Sequence, residues 1–243
     1  MTRKIRAFSP MKLSEGEDEL RLGEEESHHL VKVLRIQSGS MVEILDGRGS
    51  LAEGEVTKVD RKATRVRISK RKFVPPLNPF IRIGVAMTKA NRWEEIIRPL
   101  TEMGVGGIIP LFTERTEVRI STDKVMGKLA KWEKLAVEAC KQSGNPWLPE
   151  IEAPIKFGEL SPKKEQACFI ASLRSRSQKF LPALETPSSE FLLFIGPEGG
   201  WTQREEEIAS DKGAVPFSLG PNVLRSETAA LCALAVARVG FLD

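Results

Sequence analysis

The chain has 243 residues, 41% of them hydrophobic and 29% charged, with 37 Lys/Arg against 33 Asp/Glu. That is enough apolar material for one or two cored domains; no apolar run approaches the ~20 residues of a membrane span, and the start lacks the pattern of a secretory leader. Three widely spaced cysteines, Cys140, Cys168 and Cys232, match neither a disulfide frame nor a zinc spacing, so a reducing cytoplasmic setting without metal is expected, and the absence of tyrosine excludes that side chain as an acid or a base-stacking platform.

The charge is uneven. Residues 1–75 hold 16 of the 37 Lys/Arg and 12 of the 33 Asp/Glu, which leaves 21 of each beyond them. The whole excess therefore lies in the first third, and a basic module beside a neutral one points to a polyanion partner.

Residues 1–75 read as a small mixed β domain. The pattern predicts an amphipathic helix over Glu24–Ile36 with Leu30, Val33 and Leu34 inward. His28 and His29 point about 100° apart on such a helix, with no third ligand nearby, so a structural role is expected rather than a metal site. Met41–Leu45 alternates as a strand, Asp46-Gly47 signals a hairpin turn, and Gly54–Val59 reads as the returning strand. The run from Arg61 to Lys72 has seven basic residues and no acid. Val66 and Ile68 point one way along it, Arg65 and Arg67 the other. With Lys70, these arginines form a candidate phosphate-contacting face; a merely solvated face is the alternative.

Val74–Pro79 reads as a stiff linker, which places the expected boundary between a domain of residues 1–75 and one of 76–243. Strand and helix then alternate. Ile81–Met87 is a predicted strand, Trp93–Met103 a helix kinked by Pro99, Gly107–Phe112 a strand, Asp123–Gln142 a long helix stopped by Ser143-Gly144, and Ala167–Leu173 a strand. Residues 175–189 read as a mobile loop. The alternation predicts an α/β fold with a mostly parallel sheet.

The stretch from Phe191 to Ala237 organises the rest. Phe191–Ile195 is a buried strand; Gly196-Pro197-Glu198-Gly199-Gly200-Trp201 is a glycine-rich turn; Thr202 with Glu205 is a capping box that starts a helix, and Lys212-Gly213 stops it. Backbone N–H groups at such a turn can face a ligand, and the glycines permit close approach. A second strand ends at Leu219-Gly220, and a helix begins near Ser226–Thr228 that has no polar face from Ala229 to Ala237. Two loops at the carboxyl ends of strands, over a buried helix, make a candidate cofactor pocket; a glycine-rich turn that binds nothing, common in α/β folds, is the alternative. The spacing matches neither the dinucleotide fingerprint nor the P-loop.

Four phrases stand in order: His28 to Arg35; Glu102-Met103-Gly104-Val105 with Glu114-Arg115-Thr116; Ile195 to Gly200; and Leu219-Gly220 through Leu224-Arg225-Ser226-Glu227-Thr228-Ala229. Together they resemble the RsmE family, bacterial enzymes that methylate N3 of a uridine in 16S ribosomal RNA, and the resemblance covers nearly the whole chain. It implies a SPOUT-class domain with a C-terminal trefoil knot, a PUA-like β-barrel at residues 1–75, S-adenosylmethionine as cofactor, the small ribosomal subunit or its RNA as partner, and a homodimer. Carried over by position, the cofactor loops are Ile195, Gly196, Pro197, Glu198, Gly199 and Gly200, then Leu219, Gly220, Val223 and Leu224. Thr228 and Ala229 lie below them, and Ser172 and Leu173 close the pocket. Lys89, Arg92, Arg115, Gln142 and Ser143 match polar positions facing the RNA.

Several residues depart from the family pattern, among them Trp201, Ser226, Thr116, Asn145 and Pro99. Asn145 stands where an arginine is usual, which puts one RNA contact in doubt. For the chemistry, Arg225 is the candidate to stabilise charge on a uracil carbonyl oxygen. Glu227 is the candidate to accept the N3 proton or to orient Arg225, with plain helix-terminus stabilisation as its structural role. A SPOUT enzyme acting on transfer RNA and a non-catalytic RNA-binding assembly factor are the alternatives; the intact Gly196–Gly200 loop speaks against the second.

Overall fold

The computed structural model describes residues 4–13, 16, 18–88, 92–118, 120–173, 178–180 and 188–239. Lys89 and most of the segment expected as a mobile loop, 175–177 and 181–187, lie outside them. The chain packs as two compact units, Met1–Pro76 with Val137–Leu148, and Leu77–Ala136 with Pro149–Asp243. The expected boundary near Pro75 did not anticipate that 137–148 packs with the first unit.

In the first unit five strands form one sheet: β1 (Arg6–Phe8), β2 (Glu19–Arg21), β3 (Met41–Leu45), β4 (Ser50–Lys58) and β5 (Arg65–Phe73), in the order β1-β3-β4-β5-β2. Only the β1–β3 pair is parallel. Alternation sets the faces: Val42, Ile44, Ala52, Val56 and Val66 enter the core, with Ile68 packed against it. The β3–β4 turn is held by Asp46, whose carboxylate accepts from the N–H of Arg48 at 2.8 Å and of Ser50 at 3.0 Å. At the register shift after Glu53, an added Cβ on Gly54 would lie 2.4 Å from the Arg67 carbonyl oxygen, so the close approach of β4 and β5 requires glycine.

The first helix, α1 (Glu24–Lys32), is shorter than expected. Of its predicted inward residues only Leu30 is buried, while Val33 is 63% and Leu34 38% exposed. The chain leaves the helix through Arg35 at φ +52°, and that turn delivers Ile36 to the core in their place.

The second unit is an eight-stranded sheet, parallel in every pair. Its strands are β6 (Phe80–Ala86), β7 (Gly107–Phe112), β8 (Glu150–Ile151), β9 (Ile155–Lys156), β10 (Ala167–Ala171), β11 (Gln178–Lys179), β12 (Glu190–Ile195) and β13 (Val215–Ser218). The order is β11-β13-β10-β12-β6-β7-β8, with β9 also on β7. β12 lies between β10 and β6, and both of its faces are covered; that explains five consecutive apolar residues from Phe191 to Ile195 with almost no exposure. One face carries α5 (Gln203–Asp211) and the short turn Phe157–Glu159, whose Phe157 meets Phe194 edge-on at 5.2 Å and Trp201 at 4.7 Å. The other carries α6 (Ser226–Val239), packed on β6 and β12.

The predicted helix over Trp93–Met103 is two short helices, α2 (Arg92–Glu95) and α3 (Ile97–Glu102), broken at Ile96. Ile96 keeps helical dihedrals (φ −76°, ψ −23°), and the interruption falls where the N–H that Pro99 lacks would have bonded the Glu95 carbonyl. Pro99 itself sits in the first turn of α3. Thr122–Ser143 forms α4, ended by Gly144 at φ +82°. On α6 the residues Ala229, Ala230, Ala233, Leu234 and Ala237 form the buried stripe, while Leu231, Cys232, Ala235 and Val236 are half-buried. Among the described residues no helix is long and apolar enough to cross a membrane.

Candidate functional site

The carboxyl ends of β10, β12 and β13 open together on a cavity of about 280 Å³. Ala171, Ser172 and Leu173 line it from β10; Ile195 to Trp201 from β12; and Phe217, Leu219, Gly220, Asn222, Val223 and Leu224 from β13. Ser226 and Ala229 of α6 and Glu206 of α5 complete the wall. Ligands of open α/β sheets bind at this edge, where strand order reverses.

Local chemistry shapes each wall. The capping box is present in both directions: Glu205 N–H donates to Thr202 Oγ1 at 3.2 Å, and Thr202 N–H donates to Glu205 Oε2 at 2.9 Å. That fixes where α5 starts and hence where the glycine turn ends. Trp201 closes one side. Its Nε1 donates to the Ala171 carbonyl at 2.9 Å, and its ring lies where a Cβ on Gly196 would approach within 2.9 Å. Gly200 (φ +69°) and Gly220 (φ +144°) line the cavity, and nothing lies within 4 Å of a Cβ added to either, so their backbone can be approached closely. Ser226 Oγ donates to the Gly196 carbonyl at 2.7 Å and joins the two loops. Ser172 Oγ donates to Glu206 Oε1 at 2.9 Å. The ionisable side chains of the wall are two carboxylates, Glu198 and Glu206, with no lysine or arginine among them.

Every residue expected to hold the cofactor lines this cavity except Thr228, which is exposed on α6. Glu206, Phe217 and Ser226 line it without having been singled out for it. Ser226 lay inside a phrase already marked; Glu206 is one residue past the capping glutamate and carried no signal of its own.

The two expected catalytic residues stand at the start of α6, outside the lining. Arg225 Nη1 is 4.0 Å from Glu227 Oε1, with the arginine side chain 70% exposed. Glu227 Oε2 is buried without a hydrogen-bond partner. Two of the expected RNA-facing arginines reach the glycine turn itself. Arg92 Nη1 donates to Glu198 Oε1 at 2.9 Å, and Arg115 Nη1 donates to the Gly199 carbonyl and, at 3.5 Å, to that of Gly200.

Arg65, Arg67 and Lys70 are exposed on β5 of the first unit. Their face is of mixed charge: Arg65 pairs with Glu19 at 3.0 Å, Arg67 stands opposite Glu19 and Glu55, and Lys70 opposite Glu53. Gln142 and Ser143 end α4 and pack in the first unit. There Arg6 Nη1 caps the helix, donating to the carbonyls of Lys141 at 3.1 Å and Gln142 at 2.9 Å. Burial pushes the thiol of Cys140 up to about 12 and that of Cys168 up to about 11, so neither is a thiolate at neutral pH. Among the described residues no cluster of His, Cys, Asp and Glu could hold a metal ion.

The comparisons agree with this geometry. Residues 76–238 match the model of the RNA methyltransferase domain, and residues 22–69 that of the RNA methyltransferase PUA domain. Fold and site thus define the class, an RNA methyltransferase domain behind a PUA domain. A ribosomal RNA small subunit methyltransferase E of Synechocystis is 34% identical over 216 residues, 86% of this chain and 69% of the relative. A Legionella pneumophila protein, described as a methyltransferase and solved with bound SAM, superposes with a TM-score of 0.88 at 32% identity over 98% of both chains. The ribosomal RNA small subunit methyltransferase E of Neisseria gonorrhoeae, solved with S-adenosyl methionine, gives 0.87 at 27% identity over 97% of both. The chain belongs to the ribosomal RNA small subunit methyltransferase E family.

Proposed function

We propose that this protein transfers a methyl group from S-adenosylmethionine to N3 of a uridine in 16S ribosomal RNA of the small subunit. The observation that carries the reading is the cavity at the ends of β10, β12 and β13. Its glycines leave room against the backbone, and its charged side chains are carboxylates only, which suits a ligand bearing a sulfonium and an ammonium. Ser172, Glu198, Glu206 and the two glycine loops would hold it. When bound, S-adenosylmethionine supplies an electrophilic methyl on sulfur, chemistry that calls for no metal.

The protein's own part is to position the base and manage one proton. Uridine N3 is a poor nucleophile while its imide proton remains. Arg225, exposed at the start of α6, stabilises negative charge on a uracil carbonyl oxygen. Glu227 takes the proton or orients Arg225. The target base is turned out of its stack to reach them, and Arg65, Arg67, Lys70, Lys89, Arg92, Gln142 and Ser143 contact the RNA.

The same reading includes a SPOUT-type trefoil knot near the C-terminus, supported by a strand order in which β12 is inserted between β6 and β10. It includes a PUA-like barrel over residues 1–75 and a methyltransferase domain over 76–243. It also includes a homodimer, supported by the half-buried apolar residues Leu231, Cys232, Ala235 and Val236 of α6, and a cytoplasmic setting. The test is to offer labelled S-adenosylmethionine with small ribosomal subunits and, separately, transfer RNA. Label on subunit RNA supports the reading, and label confined to transfer RNA overturns it.

A further inference from the structure

Arg115 belongs to the loop Thr113–Thr116 that follows β7. By its position it is expected to face RNA, yet its guanidinium is spent on the protein's own glycine turn, at the carbonyls of Gly199 and Gly200. The arginine stem lies against the same turn, since a Cβ added to Gly199 would come within 3.3 Å of Arg115 Cδ.

The loop that carries Arg115 is itself anchored. Thr113 N–H donates to Thr116 Oγ1 at 3.0 Å, and the two hydroxyls lie 2.8 Å apart. Glu114 N–H donates to Glu205 Oε1 at 2.8 Å, while the other oxygen of that carboxylate accepts from Thr202 N–H at 2.9 Å. Glu205 is 2% exposed. A buried carboxylate shared by two backbone N–H groups resists displacement, because losing either leaves charge and donor unsatisfied. The residue that caps α5 therefore also bolts the β7 loop to the end of the glycine turn. Helix capping alone would not need the second bond.

We infer that Arg115 and Glu205 are positioning residues for the cofactor loop: Glu205 fixes the β7 loop, and Arg115 holds the Gly199 and Gly200 carbonyls so that the cavity is shaped before RNA arrives. The physical need is plain. Two adjacent glycines are the most freely moving residues in a chain, and a loop ordered beforehand spares the ligand the entropic cost of ordering it. The inference rests on reading the cavity as the S-adenosylmethionine site.

The test is calorimetric titration of S-adenosylmethionine, without RNA, into the full chain and its variants. Arg115 is exposed, so Arg115→Ala should melt close to the parent while binding the cofactor roughly five- to twentyfold more weakly. Arg115→Lys should fall between, because an ammonium is a point donor and not a fork. Glu205→Gln should weaken binding in the same direction, and the double variant should lose less than the product of the two single losses, as coupled residues do. If the parent binds and Arg115→Ala binds equally well, losing only affinity for RNA, then Arg115 is an RNA contact and the inference is overturned. If the parent itself binds no S-adenosylmethionine, the reading of the cavity fails, and the inference with it.

Discussion

Ser226 donates its hydroxyl to the carbonyl of Gly196 at 2.7 Å, and this bond joins the start of α6 to the first residue of the glycine turn thirty positions earlier in the chain. Ser226 is 3% exposed, and the bond is partly buried at the cavity wall. It is one direct tie between the two loops that face each other across the cavity.

Ser226→Ala should therefore cost about 1 kcal/mol, the net worth of one hydrogen bond plus an unsatisfied carbonyl. In a chain of this size that is a drop of roughly 2–4 °C in melting temperature. Ser226→Thr, which keeps the hydroxyl, should retain most of the stability. Thermal scans of both decide it; equal losses would mean that packing, and not the bond, is what the position supplies.

Gly200 and Gly220 should respond differently from Gly54. At the first two, which line the cavity, an added Cβ meets nothing within 4 Å, so alanine brings about 1 kcal/mol of backbone strain at a positive φ without a clash. Cofactor affinity should fall while the fold survives. At Gly54 the Cβ meets the Arg67 carbonyl at 2.4 Å, and Gly54→Ala should lower the melting temperature more than either. Parallel thermal and calorimetric titrations on the three variants separate the effects.

Glu94 supplies a pH dependence. Burial pushes its carboxyl up, but hydrogen bonds from Lys131 and Trp132 outweigh that and hold it below the ordinary value of 4.5. A carboxyl depressed in the folded state stabilises above its unfolded value, and that contribution is lost as pH falls through the folded one. The parent should lose melting temperature on going from pH 7 to below about pH 4.5 more steeply than Glu94→Gln. Identical slopes would remove Glu94 from the acid response.

Arg225→Ala should slow methyl transfer by about 10²–10³-fold, the usual loss when one charge-stabilising donor is removed, with cofactor affinity almost unchanged because Arg225 lies outside the lining. Single-turnover rates and calorimetry on the same preparation check the split. Equal losses in both would assign Arg225 to cofactor binding.

The β5 face offers a quantitative test. If Arg67 and Lys70 each meet a phosphate, replacing both with glutamine should reduce the salt slope of RNA binding by about 0.7–0.9 per residue. Their cross-strand neighbours Glu19, Glu55 and Glu53 would in the other case hold them as a solvated face, and the slope would not move.

Much of this architecture was legible because local rules agree with it. The run Phe191–Ile195, the Thr202–Glu205 box and the Lys212-Gly213 stop each name one structure only, and strand, cap and helix end stand there. Helix ends that depend on long-range packing were less legible. Nothing local tells Val33 and Leu34 to leave the core to Ile36, since the turn at Arg35 decides it. Pro99 signals an interruption of the helix, but the place of the break, at Ile96 one turn earlier, follows from which carbonyl loses its donor. At the candidate site the loops were readable and the side chains reaching them from elsewhere were not. Glu206 arrives from α5 and Arg115 from the β7 loop, and no spacing in the sequence ties either to Gly199.

The most direct measurement is transfer of labelled methyl from S-adenosylmethionine to small ribosomal subunits that lack the modification, followed by digestion and mass mapping of the RNA, with the Arg225→Ala variant alongside. The account predicts label on N3 of one uridine in 16S RNA, strongly reduced by the substitution. Label on a different atom or base, or on many sites equally, would contradict it.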